Sequence, residues 1–67
     1  MKFIKATNFG QTQYVSYDSS EYAKLSVSKA REGWVLVGWK ADNIEGDKLA
    51  IEATKKDAIE VAERRFY

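Results

Sequence analysis

Asp42, Glu45 and Asp47 fall within six consecutive positions, and oxygen ligands that close together are what a calcium loop requires. The loop's spacing, with oxygens at alternate positions, then a glycine and a distant glutamate, is not met, so turn chemistry accounts for them. Asp57, Glu60 and Glu63 recur at helical spacing; instead of converging for acid–base work they fall on one solvated helix face. Ser16, Ser19, Ser20, Ser26 and Ser28 are potential nucleophiles, yet the chain has no His and no G-x-S-x-G elbow, which leaves a hydroxyl without a base. The absence of Cys as well as His removes the thiolate and imidazole ligands of the usual zinc sites. These residues point to a protein that is not an enzyme and carries neither a metal nor another cofactor.

With 67 residues the chain has room for one domain, residues 1–67, near the size at which a single core only just offsets chain entropy. No disulfide can staple it, so three Phe, two Trp and four Tyr must supply large buried areas. Eleven basic against ten acidic residues give a net charge of +1, which does not mark the whole chain as a binder of polyanions. The N-terminal residues lack the apolar core of a signal peptide, and no run approaches the roughly 20 apolar residues of a membrane span. The expectation is a cytoplasmic protein with no membrane contact.

The elements that must position any site are organised around Gly33-Trp34-Val35-Leu36-Val37-Gly38-Trp39, an uncharged apolar run bounded by glycine and too short for a buried helix. It predicts a central strand. Lys2–Thr7 and Thr12–Tyr17 alternate on either side of Asn8-Phe9-Gly10-Gln11, which predicts a hairpin. Asp18-Ser19-Ser20-Glu21 has the form of a capping box, followed by Ala23, Val27 and Ala30 at helical spacing and by Gly33 as a stop. That predicts a helix over about residues 19–32. Leu25-Ser26-Val27-Ser28 competes with it, because it alternates like a half-exposed strand and Ser and Val are mediocre helix formers. Asp42–Asp47 is a turn, Lys48–Ala53 alternates as a strand, and Thr54-Lys55-Lys56-Asp57 caps a closing helix whose apolar stripe is Ala58, Ile59, Ala62 and Phe66.

Lys5-Ala6-Thr7-Asn8-Phe9 and Lys40-Ala41-Asp42-Asn43-Ile44 recur 35 positions apart, and after one extra residue in the second turn Asp18 aligns with Thr54 and Leu25 with Val61. This internal pseudo-repeat, residues 1–33 and 34–67, favours helix for the contested segment. The predicted class is α+β, two strand-strand-helix units (ββαββα) forming a four-stranded antiparallel sheet with both helices packed on one face.

Alternate strand residues share a face. Ile4, Val15, Val35, Val37, Trp39 and Ile51 gather on a nearly all-apolar face, which is expected to lie beneath the helices. The opposite face gathers Phe3, Lys5, Tyr14, Trp34, Leu36, Lys40 and Lys48, rings interleaved with lysines. On an open sheet such a face suits a protein partner or a second copy of the chain, with the aromatics as anchors. One alternative is single-stranded nucleic acid, its bases stacked on the rings and its phosphates on the lysines; another is that Trp34 and Leu36 tuck under the helix ends and Phe3 and Tyr14 are ordinary exposed rings. The expected function is therefore that of a small protein-binding module, such as a regulator, inhibitor or accessory subunit, with a homodimer as one form.

Residues 34–66 carry two short resemblances. A strand, an acidic turn, a strand and then Thr54-Lys55-Lys56-Asp57-Ala58 opening a helix looks like the arm-type DNA-binding domain of tyrosine recombinases. Leu36-Val37-Gly38-Trp39 followed by Thr54-Lys55-Lys56-Asp57-Ala58-Ile59 and Ala62-Glu63 is similar to the signature of a small accessory subunit of respiratory NADH dehydrogenase. No functional residue is carried over from either.

Overall fold

The run Gly33–Trp39 forms a strand flanked on both sides by others, in keeping with its β-branched and aromatic make-up. The computed structural model describes residues 3–8, 10–42 and 44–67. Its elements are β1 (Ile4–Asn8), β2 (Gln11–Ser16), β3 (Lys24–Ala30), β4 (Gly33–Trp39), β5 (Asp47–Glu52) and α1 (Lys55–Phe66). Every strand pairs antiparallel with its neighbour in the chain, so spatial order is chain order and β1 and β5 are the edges. Lys2 of the predicted first strand, and Phe9 and Asn43 of the predicted turns, lie outside the described residues.

The sheet has five strands and the described residues hold one helix, which corrects the four-stranded, two-helix ββαββα plan. The stretch over residues 19–32 is a turn leading into β3, not a helix. The oxygen chemistry of its apparent cap is present but serves a turn: Ser19 Oγ accepts hydrogen bonds from the backbone N–H groups of Glu21 and Tyr22, both at 3.1 Å. Capping boxes and serine turns use the same short side chains, and the burial pattern of the residues beyond them decides between the two. Here the alternation of Leu25-Ser26-Val27-Ser28 prevails, because it buries Leu25 and Val27 completely on one face of the sheet. Leu25 sits in a strand while its repeat mate Val61 sits in α1, so the pseudo-repeat has no counterpart in the architecture.

Gly33 adopts φ +139° where β3 turns into β4, and a Cβ there would lie 2.5 Å from the carbonyl oxygen of Glu52. Its left-handed backbone closes a hairpin instead of ending a helix. The closing helix is where Thr54 predicts it: Thr54 Oγ1 accepts from the N–H of Asp57 at 3.1 Å, and its carbonyl accepts from Ala58 at 3.1 Å. Ala58 and Ala62 are fully buried, so α1 approaches the sheet over small side chains.

The core lies between α1 and the face carrying Leu25, Val27 and Leu36, each with no exposed surface. Tyr14, Val27, Leu36 and Ala50 form one continuous cross-strand row beneath the helix. Burying each of the three aliphatic side chains contributes about 1.5–3 kcal/mol. A bulge opposite Leu36 and Val37 makes Leu49 an extra residue in β5, and Leu49 packs against this core. Both Leu49 and the Tyr22 ring crowd over Gly38, where a Cβ would meet them at 3.0 and 2.7 Å.

This assignment reverses the expected faces. α1 covers the Phe3–Tyr14–Trp34–Leu36 side, and the side bearing Val15, Val35, Val37 and Trp39 is the uncovered one. The physical reason is β3. Once residues 24–30 are a strand, Leu25 and Val27 join the first face and Ser26 and Ser28 join the second, which moves the apolar balance toward the side that α1 occupies.

Candidate functional site

Phe3, Tyr14 and Trp34 are half-buried against the core, and Leu36 is at its centre. The Nζ of Lys55, in the first turn of α1, sits 4.2 Å from the centre of the Tyr14 ring. The Phe3 ring lies 6.3 Å from that of Tyr67. These rings support the helix and its end. Of the lysines expected beside them, Lys5 is opposite Tyr14 on the exposed edge strand β1, and Lys48 is opposite Val37 on the other face and the other edge. Lys40 lies just beyond β4, its Nζ 5.7 Å from the Tyr22 ring. The three lysines do not converge, so rings and cations are not assembled on one open surface.

What the fold leaves open is the opposite side. Two cross-strand rows run over it: Ile4, Val15, Ser26, Val37 and Lys48, and then Ala6, Gln13, Ser28, Val35 and Ile51. The floor is tight, with Val15, Ser26 and Val35 at 3%, 2% and 8% exposure, while Ile4 and Ile51 at its margins are 59% and 40% exposed. Trp39 stands at one end, half-buried, with the Nζ of its cross-strand partner Lys24 4.9 Å from the ring centre. A Cβ on Gly46 would fall within 2.7 Å of Trp39 and Val37, so the β4–β5 connection closes over that end. An indole under a lysine at the end of an apolar strip can supply an anchor and a cation side by side.

A second cluster ties the C-terminus to the β2–β3 connection. Ser16, with no exposed surface, shares a hydrogen bond between its Oγ and the Tyr67 hydroxyl, and it accepts another from the N–H of Asp18 at 3.3 Å. Ser19 Oγ donates to the carbonyl of Phe66, one of the acceptors that a helix end leaves unsatisfied. The Tyr22 and Phe66 rings meet edge to face at 5.5 Å. Burial, and then the carboxylates of Asp18 and Glu63, push the Tyr67 phenol up from its ordinary value. This cluster fastens the helix in place and presents no nucleophile–base pair.

Among the described residues no group of three or more metal-ligating side chains comes together, and no helix is long and apolar enough to cross a membrane. Glu60 and Arg64 of α1 pair at 3.8 Å, an exposed i,i+4 contact of little energetic weight. Trp39, Lys24, Val37 and Ser26 are the residues that sequence reasoning did not place in a site. The signal was the Leu25–Ser28 alternation, which assigns Ser26 and Lys24 to the side of Val37 and Trp39. No protein-family model, no curated protein and no solved structure matches the chain.

Proposed function

We propose that this chain is a small, cytoplasmic, non-enzymatic binding module that contacts a protein partner through the open face of its sheet, in the manner of a regulator, inhibitor or accessory subunit. The observation that supports the reading is the apolar strip from Ile4 through Val15 and Val37, with Ile51 at its far margin, which α1 does not cover and over whose Trp39 end the β4–β5 connection closes. The strip's exposed apolar side chains, Ile4 at 59% and Ile51 at 40%, flank a tight floor, and exposed apolar surface on a sheet face is where a partner gains burial. The strip mixes β-branched side chains with one indole, and the polar residues at its centre, Ser26 and Ser28, are small, while the larger Gln13 and Lys48 lie toward its two edges. Single-stranded nucleic acid is the weaker reading, since Phe3, Tyr14 and Trp34 are engaged with the helix side, and among the described strand residues Trp39 is the ring on the open strip. Continuous stacking of successive bases uses several rings.

The test is photo-crosslinking in cells, with a benzophenone side chain at Ile51 on the open face or at Arg65 on the exposed side of α1. Nuclease-resistant, protein-containing adducts formed from position 51 and not from 65 are expected. Adducts formed only from position 65, or adducts from 51 that nuclease removes, contradict the proposal.

A further inference from the structure

The two edges of the sheet differ in a way that the open-face reading does not use. The edge at β5 is interrupted by the bulge at Leu49 and carries Asp47, Lys48 and Glu52 in six residues. Bulges and charges are the devices by which an edge strand resists pairing. The edge at β1 has no bulge, and it carries one charge against three at β5. Its register with β2 runs unbroken over five pairs from Ile4 to Asn8, it contains no proline, and its single charge is Lys5. Ile4 and Thr7 are β-branched and exposed.

We infer that the β1 edge pairs antiparallel with β1 of a second copy of this chain, joining two sheets into one. The asymmetry of the edges and the placement of charge select this occupant. Pairing β1 with the β5 edge of another copy would propagate head to tail into a fibre, and the bulge at Leu49 opposes it; β1 with β1 closes after two copies. In an antiparallel pair the partners share a face, so the two-fold axis must pass through a residue. An axis through Lys5 sets two ammonium groups side by side, which is destabilising. An axis through Thr7 carries residues of the strand past the end of its partner. An axis through Ala6 uses the whole strand, places Lys5 opposite Thr7 twice, and meets at two small Ala6 side chains. In that register both helices lie on one side of the joined sheet and both open faces on the other. Edge pairing of this kind is independent of what the open face binds.

Thr7 makes the register testable. Thr7→Glu creates two Lys–Glu cross-strand pairs, and Thr7→Lys creates two lysine pairs. Sedimentation equilibrium of the full chain at low salt should show a monomer–dimer equilibrium. The dissociation constant should fall roughly two- to thirtyfold for Thr7→Glu and rise by a similar factor for Thr7→Lys. Circular dichroism of each variant, with a spectrum like the parent's, separates loss of pairing from loss of fold. Val37→Lys, on the open face, should leave the dissociation constant unchanged. A chain that sediments as a monomer at every concentration, Thr7 variants with equal dissociation constants, or a dimer abolished by Val37→Lys but indifferent to Thr7 each overturns the assignment.

Discussion

Leu36 and Val37 are consecutive residues of one strand, and their truncation should have very different costs. Leu36 has no exposed surface, lies in the row Tyr14–Val27–Leu36–Ala50, and belongs to the same buried cluster as Ala58 and Ala62. Its replacement by Ala leaves a cavity that the backbone-tight contact of α1 cannot close, a loss of about 2–5 kcal/mol. Val37 is half-exposed on the uncovered side, and removing its two methyl groups at partial burial costs about 1 kcal/mol. A domain of this length has a total stability on the order of 3–10 kcal/mol. Leu36→Ala should therefore unfold a visible fraction of the protein at 25 °C, with the melting temperature lowered by about 10 °C or more, while Val37→Ala shifts it by roughly 4–8 °C. Urea titrations with both variants, fitted with a common slope, give the two numbers directly. Equal costs, or a larger cost at Val37, would refute the assignment of the helix to the Leu36 side.

Gly33→Ala should destabilise through its left-handed φ and its approach to the Glu52 backbone, and Gly38→Ala should do so by displacing Tyr22 and Leu49; thermal melts read both, and a neutral Gly33→Ala would exclude the hairpin geometry. Thr54→Ala removes the cap acceptor for Asp57 and should cost about 0.5–2 kcal/mol, visible as loss of helical ellipticity ahead of the main transition. The folded state holds the Tyr67 proton more tightly than the unfolded state, so this contribution is intact below the ordinary phenol pKa and is lost as pH rises through the raised one. Stability measured against pH should fall less steeply in Tyr67→Phe than in the parent chain above pH of about 10, and identical slopes would count against the Ser16–Tyr67 contact.

Much of the fold was legible where two local signals agreed. The apolar run of β4, the alternating pair β1 and β2, and the capped α1 each combined pattern with boundary chemistry. The segment from Asp18 to Gly33 was not legible, because its boundary signals and its alternation pointed to different structures. Asp18-Ser19-Ser20-Glu21 and Gly33 mark helix ends and hairpin turns alike; only the burial of Leu25 and Val27 against α1, a contact across the chain, selects the strand. That one ambiguity propagated to the candidate site. Without β3 in the sheet, Phe3, Tyr14 and Trp34 read as an exposed aromatic face and Trp39 as core, whereas the Leu25–Gly38 and Lys24–Trp39 pairings put them the other way round.

The central claim is that α1 covers the Leu25–Val27–Leu36 side and leaves Ile4 and Ile51 facing outward. Methyl-resolved NMR with a soluble gadolinium chelate tests it most directly, since relaxation enhancement depends only on each methyl's distance from solvent. The methyl signals of Ile4 and Ile51 should broaden strongly while those of Leu25, Val27 and Leu36 stay sharp; protected Ile4 and Ile51 methyls beside broadened Leu25 and Leu36 would contradict the account.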